Sequence, residues 1–241
     1  MEIIFTENAG ILIKCEKCSI LIDTIQFYSS QYSKPLSNSL WNCILNSVGD
    51  FYNLDYVVAT HNHPDHISVQ HICSLVKRYS KIKLILPRNV SEEIAGECIK
   101  MDQEYGEFLL QDGVEYRYFR TGHIGNQFRK VENYCIIIKY NGLRILLTGD
   151  AAVDYNRFEL LKGMKFDLIV VTPLFFHDPM GREILSTYNM KFLAINHIPK
   201  CGKERDMFLK MINYDLKKCS FCVENIIIIK QPMYRLGFKN I

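Results

Sequence analysis

Apolar residues fall along this chain in short blocks separated by polar turns, and the spacing inside each block predicts its structure. Glu2 to Phe5 reads as a strand, and Gly10 to Lys14 with Ser19 to Asp23 forms a predicted hairpin, ILIKCEKCSILID. Thr24 to Leu54 is long, polar and serine-rich; it holds the one tryptophan, Trp41, and shows a helical turn only at WNCIL. A β-branched run then ends at Thr60, and Val69, Ile72, Cys73 and Val76 repeat at helical spacing towards Tyr79. KIKLILP is a buried strand stopped by Pro87. Ser91 has the chemistry of an N-cap, with Glu92 and Glu93 in the first turn, and predicts a helix to about Met101 that Gly96 weakens.

In the second half, Val114 to Arg120 alternates as a strand. Tyr134 to Lys139 and Leu143 to Leu147 flank Asn141-Gly142, a strong hairpin signal. Asp154 to Lys162 predicts a short helix, Leu168 to Thr172 a buried strand stopped by Pro173, residues 178 to 189 a helix, and Phe192 to Asn196 a further strand. Lys203 to Lys217 puts Phe208, Met211, Ile212 and Leu216 on one helical face, and Asn225 to Lys230 closes the sheet. Strands in two groups with interspersed helices make this an α/β chain without repeats or linkers.

The 241 residues are 48% apolar, enough for one core, so a single domain over 1–241 is expected. A net charge of +3, close to neutral for this length, does not argue for a nucleic-acid partner or an anionic membrane surface, and neither is expected. The N-terminus lacks the pattern of a signal peptide, and no apolar run approaches the roughly 18 to 20 residues that span a bilayer, so a cytoplasmic protein is expected. Nine cysteines, an odd number, are read as reduced thiols. Cys15 with Cys18, and Cys219 with Cys222, have C-x-x-C spacing, but neither pair carries the Gly or Pro of a zinc knuckle, and ordinary thiols are favoured.

Chemistry concentrates in VVATHNHPDHIS. His61, His63, Asp65 and His66 fall within six positions, between the end of a strand and the start of a helix. Imidazole and carboxylate together suit a divalent metal such as zinc, manganese or iron. Later come His123 in RTGHIGN, Asp150 in ILLTGDAA and His197 in LAINHIPK, each at a predicted strand end or in the loop after one, where α/β scaffolds present sites. Gly122 and Gly125 on either side of His123 suit a close backbone approach.

The HNHPDH run resembles the HxHxDH motif of the metallo-β-lactamase superfamily, and His123, Asp150 and His197 match that superfamily's remaining ligand positions in order. The likeness covers nearly the whole chain and, with the AINHIP-type ending, looks most like the small ascorbate-phosphate lactonase-like subgroup. It implies a four-layer αβ/βα sandwich. It implies two divalent ions, zinc first with manganese or iron as alternatives: one on His61, His63 and His123, the other on Asp65, His66 and His197, bridged by Asp150. Water activated to hydroxide would be the nucleophile, with Asp65 orienting it or shuttling a proton. Asp23 stands where the superfamily often has a carboxylate supporting the metal loop, although a turn-forming Asp reads equally well.

Further candidates are weaker. Tyr28, Tyr32 and Trp41 are read as packing more than as substrate contacts, and His71 as a neighbour of the site or a surface residue. His177 follows a strand and is read as an ordinary loop histidine more than as a lining of the pocket mouth, and Arg120, Arg129 and Lys200 either hold an anionic substrate or are plain surface charge. Asp150 stands where the commonest zinc β-lactamases use cysteine, and the chain has no room for the superfamily's nuclease insertions or glyoxalase-type helical region. A hydrolase of a small lactone, ester or phosphodiester is expected. An iron-dependent redox protein and a non-catalytic binding module are the alternatives, and a homo-oligomer is left open.

Overall fold

Most of the strand sequences are apolar at consecutive positions, which requires cover on both faces of a sheet. The computed structural model, which describes residues 1–92, 94, 98–219 and 225–238, provides that cover with two stacked seven-stranded sheets between helices. The first half of the chain supplies β1 (Glu2–Phe5), β2 (Ile11–Lys14), β3 (Ser19–Ile22), α1 (Asn38–Leu45), β4 (Tyr56–Val58), α2 (Val69–Arg78), β5 (Lys83–Pro87), α3 (Arg88–Ser91) and β6 (Cys98–Met101). The second supplies β7 (Tyr105–Leu109), β8 (Glu115–Gly122), β9 (Glu132–Tyr140), β10 (Leu143–Leu147), α4 (Tyr155–Glu159), β11 (Lys165–Val171), α5 (Pro173–His177), α6 (Pro179–Ser186), β12 (Asn189–Ile195), α7 (Gly202–Leu216), β13 (Asn225–Ile228) and β14 (Tyr234–Gly237). The sheet orders are β14-β1-β2-β3-β4-β5-β6 and β13-β12-β11-β10-β9-β8-β7.

Period-two alternation sorts each strand between two layers. Ile3, Phe5, Ile11, Ile13, Ile20 and Ile22 of the first sheet share one buried cluster with Tyr116, Tyr134, Ile136, Ile138, Ile145 and Leu168 of the second, so this cluster lies between the sheets. The intervening Ile4, Leu12 and Leu21 pack with Leu40 and Ile44 of α1 and Ile72 and Leu75 of α2. Phe119, Ile137, Leu146, Ile169 and Leu193 do the same with Phe158, Phe175, Ile184 and Ile212 of the later helices. The expected αβ/βα sandwich follows directly.

Local chemistry sets the element ends. Asn141 and Gly142 both have positive φ, 49° and 80°, as a tight β9–β10 hairpin turn needs. Thr172 and Asp178 accept from the backbone amides of Phe175 and Met180, capping α5 and α6, whose first residues are Pro173 and Pro179.

Three predicted elements change. The helix expected from Ser91 to Met101 is absent: Ser91 ends the short α3, its hydroxyl donating to Arg88 O at 2.8 Å, and Cys98–Met101 is a strand paired parallel to β5. Cross-strand partners 14 residues away, such as Leu84 for Cys98, outweigh a local cap. β7 and β14 were not predicted; Asn225–Ile228 closes the second sheet beside β12 as expected, and β14 closes the first, antiparallel to β1. Cys222, Glu93 and Gly96 lie outside the described residues.

Helix propensity says that Gly181→Ala in α6 stabilises by about 1 kcal/mol. The structure says the reverse, because a Cβ there would lie 2.1 Å from the carbonyl oxygen of the buried Phe175. We expect the variant to lose about 1–3 kcal/mol in urea unfolding; equal or greater stability would show that α5 can retreat freely.

Candidate metal centre

Each candidate ligand follows the C-terminal end of a strand. β4 leads through Thr60 to His61, β8 to His123, β10 to Asp150 and β12 to His197. The metal loop is wound tightly, with His66 N and Ile67 N both donating to His63 O at 2.9 and 3.0 Å. It is tied down at Ser68 N, which donates to Ile25 O at 2.7 Å, and by Asn8 Nδ2, which donates to Asp65 O at 2.6 Å. The His123 and Asp150 loops are laced together by Ile124 N to Asp150 O (2.8 Å) and Ala152 N to Gly122 O (2.7 Å). His197 has φ of +66°, unusual for a residue with a Cβ and a sign of a position imposed by its surroundings.

These loops gather five of the seven histidines and two aspartates. Among the described residues three groups offer ligand atoms all within 4.8 Å of one another: His61, His63 and His123; Asp65, His66 and His197; and His61, His66 and Asp150. The first two are the expected triads. Asp150 lies between them, its Oδ2 at 3.4 Å from His123 Nε2, 3.6 Å from His66 Nε2 and 3.8 Å from His197 Nε2. Ligands about 2.0–2.1 Å from a tetrahedral ion sit roughly 3.3–3.4 Å apart, so the spacing is of the right order.

The orphaned atoms make the fit sharper. His61 Nε2, His123 Nε2 and Asp150 Oδ1 are buried without a hydrogen-bond partner among the described residues. Leaving such atoms unpaired costs about 1–3 kcal/mol each. A divalent cation held by the first triad would satisfy the two imidazole atoms, and the donor set around it, Asp150 included, suits one.

Behind the ligands is a supporting layer. Asp23, with φ of +49°, accepts from Thr60 N at 2.8 Å and Thr60 Oγ1 at 2.6 Å. Its Oδ2 also lies 3.1 Å from His66 Nδ1, a charge contact rather than an aligned hydrogen bond. With its proton given to Asp23, Thr60 Oγ1 is left to accept from His61 Nδ1, 3.0 Å away. One buried carboxylate therefore orients a histidine in each triad, which settles the turn-or-support question for Asp23 in favour of support. His123 Nδ1 has its own acceptor, Ile124 O, at 2.6 Å.

Sequence reasoning missed Asn133. It is fully buried at the start of an apolar strand; its Nδ2 donates to Thr148 O (2.9 Å) and Thr121 Oγ1 (3.1 Å), and its Oδ1 accepts from Asp150 N at 3.0 Å. A lone Asn within ENYCIIIKY carries no signal of this. Gly149 is the glycine that permits close approach: a Cβ there would meet Asn133 Oδ1 at 2.5 Å and Thr60 at 2.9 Å, and its φ is +55°. Gly122, expected in that role, has only ordinary contact at 3.6 Å, whereas Gly125 does have positive φ, +96°.

Burial, reinforced by His66, holds His61 well below the usual imidazole range, and burial with His123 lowers His63. Burial also opposes charge on His66, but Asp150 and Asp23 overcome it and hold its pKa well above the usual value. For Asp65 burial acts upward, yet His197 and His66 bring it down to about 2.

The other sequence candidates go elsewhere. His71 Nδ1 meets Ser68 Oγ at 2.7 Å and its ring stacks on Phe27 at 3.5 Å, with Trp41 edge-on. His177 is not at the centre; it pairs with the buried Asp215 at 2.7 Å, beside Arg182. Lys200 pairs with Glu7 at 2.8 Å, Arg120 with Glu104 and Glu132, and Arg129 donates to Asn126 Oδ1. Tyr28 and Tyr32 are exposed, and Tyr32 has an edge contact with Phe208 of α7. Cys15 and Cys18 are free thiols, each pushed by burial up to about 12.

By sequence, no family model and no curated protein matches this chain. By structure it is similar to the metallo-β-lactamase fold protein YhfI from Bacillus subtilis, at 13% identity and TM-score 0.69 over 98% of each chain. This chain has the metallo-β-lactamase fold. Isothiocyanate hydrolase from Delia radicum gut bacteria is similar at 13% identity and TM-score 0.66 over 99% of each chain. CmlA, a diiron β-hydroxylase from Streptomyces venezuelae, is 10% identical with TM-score 0.66; the match takes in 98% of this chain and 53% of that one. No helix among the described residues of this metallo-β-lactamase fold is long and apolar enough to cross a membrane.

Two outcomes follow from the supporting layer. Asp23→Ala leaves every candidate ligand in place yet is expected to weaken metal binding about 10- to 100-fold, read by competition with a chromogenic chelator while circular dichroism confirms folding. Because Asp150 and Asp23 keep His66 protonated towards neutral pH, loading metal there should expel about one proton. Calorimetric titration in buffers of different ionisation enthalpy measures this; no buffer dependence would show that His66 is already neutral.

Proposed function

We propose that this protein is a metal-dependent hydrolase that cleaves a lactone, ester or phosphodiester of a small molecule at a two-metal centre. The observation that carries this reading is the pair of triads, His61/His63/His123 and Asp65/His66/His197, joined at Asp150 Oδ2. Ions held there, zinc first among those the donors suit, supply a lowered water pKa and a Lewis-acid contact for the substrate oxygen. The protein's own residues do the rest. Asp150, its backbone fixed by Asn133, would be the carboxylate between the two ions. Asp65, its side chain 22% exposed against 1% for His66 and 13% for His197, is the member of its triad most open to solvent. It is placed to orient an attacking water as an ionised hydrogen-bond acceptor. Asp23 and Thr60 keep the ligand imidazoles aimed inward, so no reorganisation is needed when charge develops. No side-chain nucleophile is required.

A second reading has one observation behind it: the same fold carries a diiron β-hydroxylase, and a donor set of imidazole and carboxylate accepts iron.

The test compares metal-loaded protein with Asp150→Ala on a chromogenic phosphodiester, a lactone panel and aryl esters. Turnover of at least one class is expected, falling about 10²-fold or more in the variant. Turnover of none, together with purified protein that carries iron and an iron charge-transfer band, would replace hydrolysis with the redox reading.

A further inference from the structure

The cavity behind the ligands, lined in part by Asp23, Thr60, Thr148, Asn196 and His197, is only about 30 Å3. That is room for a water or two, not for a substrate. A substrate must therefore arrive from the side where ligands reach the surface. His61, His66 and His123 are buried, whereas His63, Asp65 and His197 are partly exposed. On that exposed side one large apolar side chain stands against the centre, and the function described so far leaves it unused: Phe128.

Phe128 meets His63 edge-to-face at a ring-centroid distance of 4.7 Å and His123 at 5.0 Å. It joins none of the three apolar cores and remains 37% exposed. The ring keeps open surface beside two candidate ligands. The loop that carries it is built to hold it there. Phe128 N donates to Gly125 O at 3.0 Å, Val131 N to Phe128 O at 2.8 Å, and His123 N to Val131 O at 3.2 Å, so ring and ligand share one hydrogen-bonded frame. Gly125 has φ of +96°, and a Cβ there would already touch the Phe128 ring at 3.4 Å. The Arg129 guanidinium is bonded back to Asn126 Oδ1 within the same loop.

We propose that Phe128 is the wall of an apolar subsite on the His61/His63/His123 side, and that the substrate carries a flat apolar group, aryl or conjugated, next to the bond that is cleaved. This deepens the hydrolytic reading and rests on it for the words "bond cleaved", but the subsite itself is tested by binding. Benzohydroxamate and acetohydroxamate present the same chelating head and differ by phenyl against methyl. Their affinities for cobalt-loaded protein are read from the visible spectrum, for the unmodified chain, Phe128→Ala and Phe128→Trp. In Phe128→Ala the preference for the phenyl compound should fall about five- to tenfold, while cobalt content and acetohydroxamate affinity stay as they were. Phe128→Trp should keep the preference. An unchanged ratio in Phe128→Ala, or protein that loads cobalt but binds neither compound, overturns the subsite. A preference that depends on Phe128, in protein that hydrolyses nothing, would uphold the subsite and sink the hydrolase.

Discussion

Seven electron-rich side chains meet at one place in this protein, and burying them together is the constraint on which the rest of the centre depends. Imidazole lone pairs and carboxylate oxygens facing one another repel or go unpaired unless a cation stands among them. His61, His123 and Asp150 each have a buried atom in that condition. The two sheets exist, from the standpoint of function, to hold these groups at fixed separation despite that cost. Strands β4, β8, β10 and β12 all end at the same edge of the sandwich, and their shared apolar interior, rich in isoleucine, supplies the stability that the edge spends.

Precision comes from a few polar groups beneath the ligands. Asp23 serves both triads, His66 by direct contact and His61 through the Thr60 hydroxyl. Asn133 holds the backbone of Asp150, and the space it needs is the space that Gly149 leaves. Asp23 and His197 both accept positive φ, at a cost on the order of 1–2 kcal/mol each. Backbone strain gathered at the ligand loops, and supported by hydrogen bonds from neighbouring loops, is what a preorganised site looks like.

Several charged groups outside the centre pair with one another. Lys200, next to the His197 loop, is held by Glu7, which also accepts from Ser37 N at 2.7 Å. This ties the β1–β2 turn to the long segment before β4. The buried Asp215 has Arg182 and His177 as partners, which links α5, α6 and α7 on the outer face of the second sheet. Both histidines outside the centre, His71 and His177, thus have structural partners.

The candidate ligands and the fold class were legible in the chain because both are carried by local signals. HNHPDH is dense enough to be improbable as a chance turn, and strands that must be covered on both faces show as unbroken apolar runs. Supporting residues left no such trace. Asp23, Thr60 and Asn133 have partners 12 to 43 residues away, and Phe128 matters only because its loop folds back over His63. β6 and β14 were hidden for the same reason: each is made a strand by a partner elsewhere, β5 for one and β1 for the other. By itself, then, the sequence determined which side chains bring the chemistry and which residues are buried, since these depend on residue type and period. Only the tertiary structure decided what aims those donors and which side chains stand beside them, because those depend on distances between segments that local chemistry does not encode.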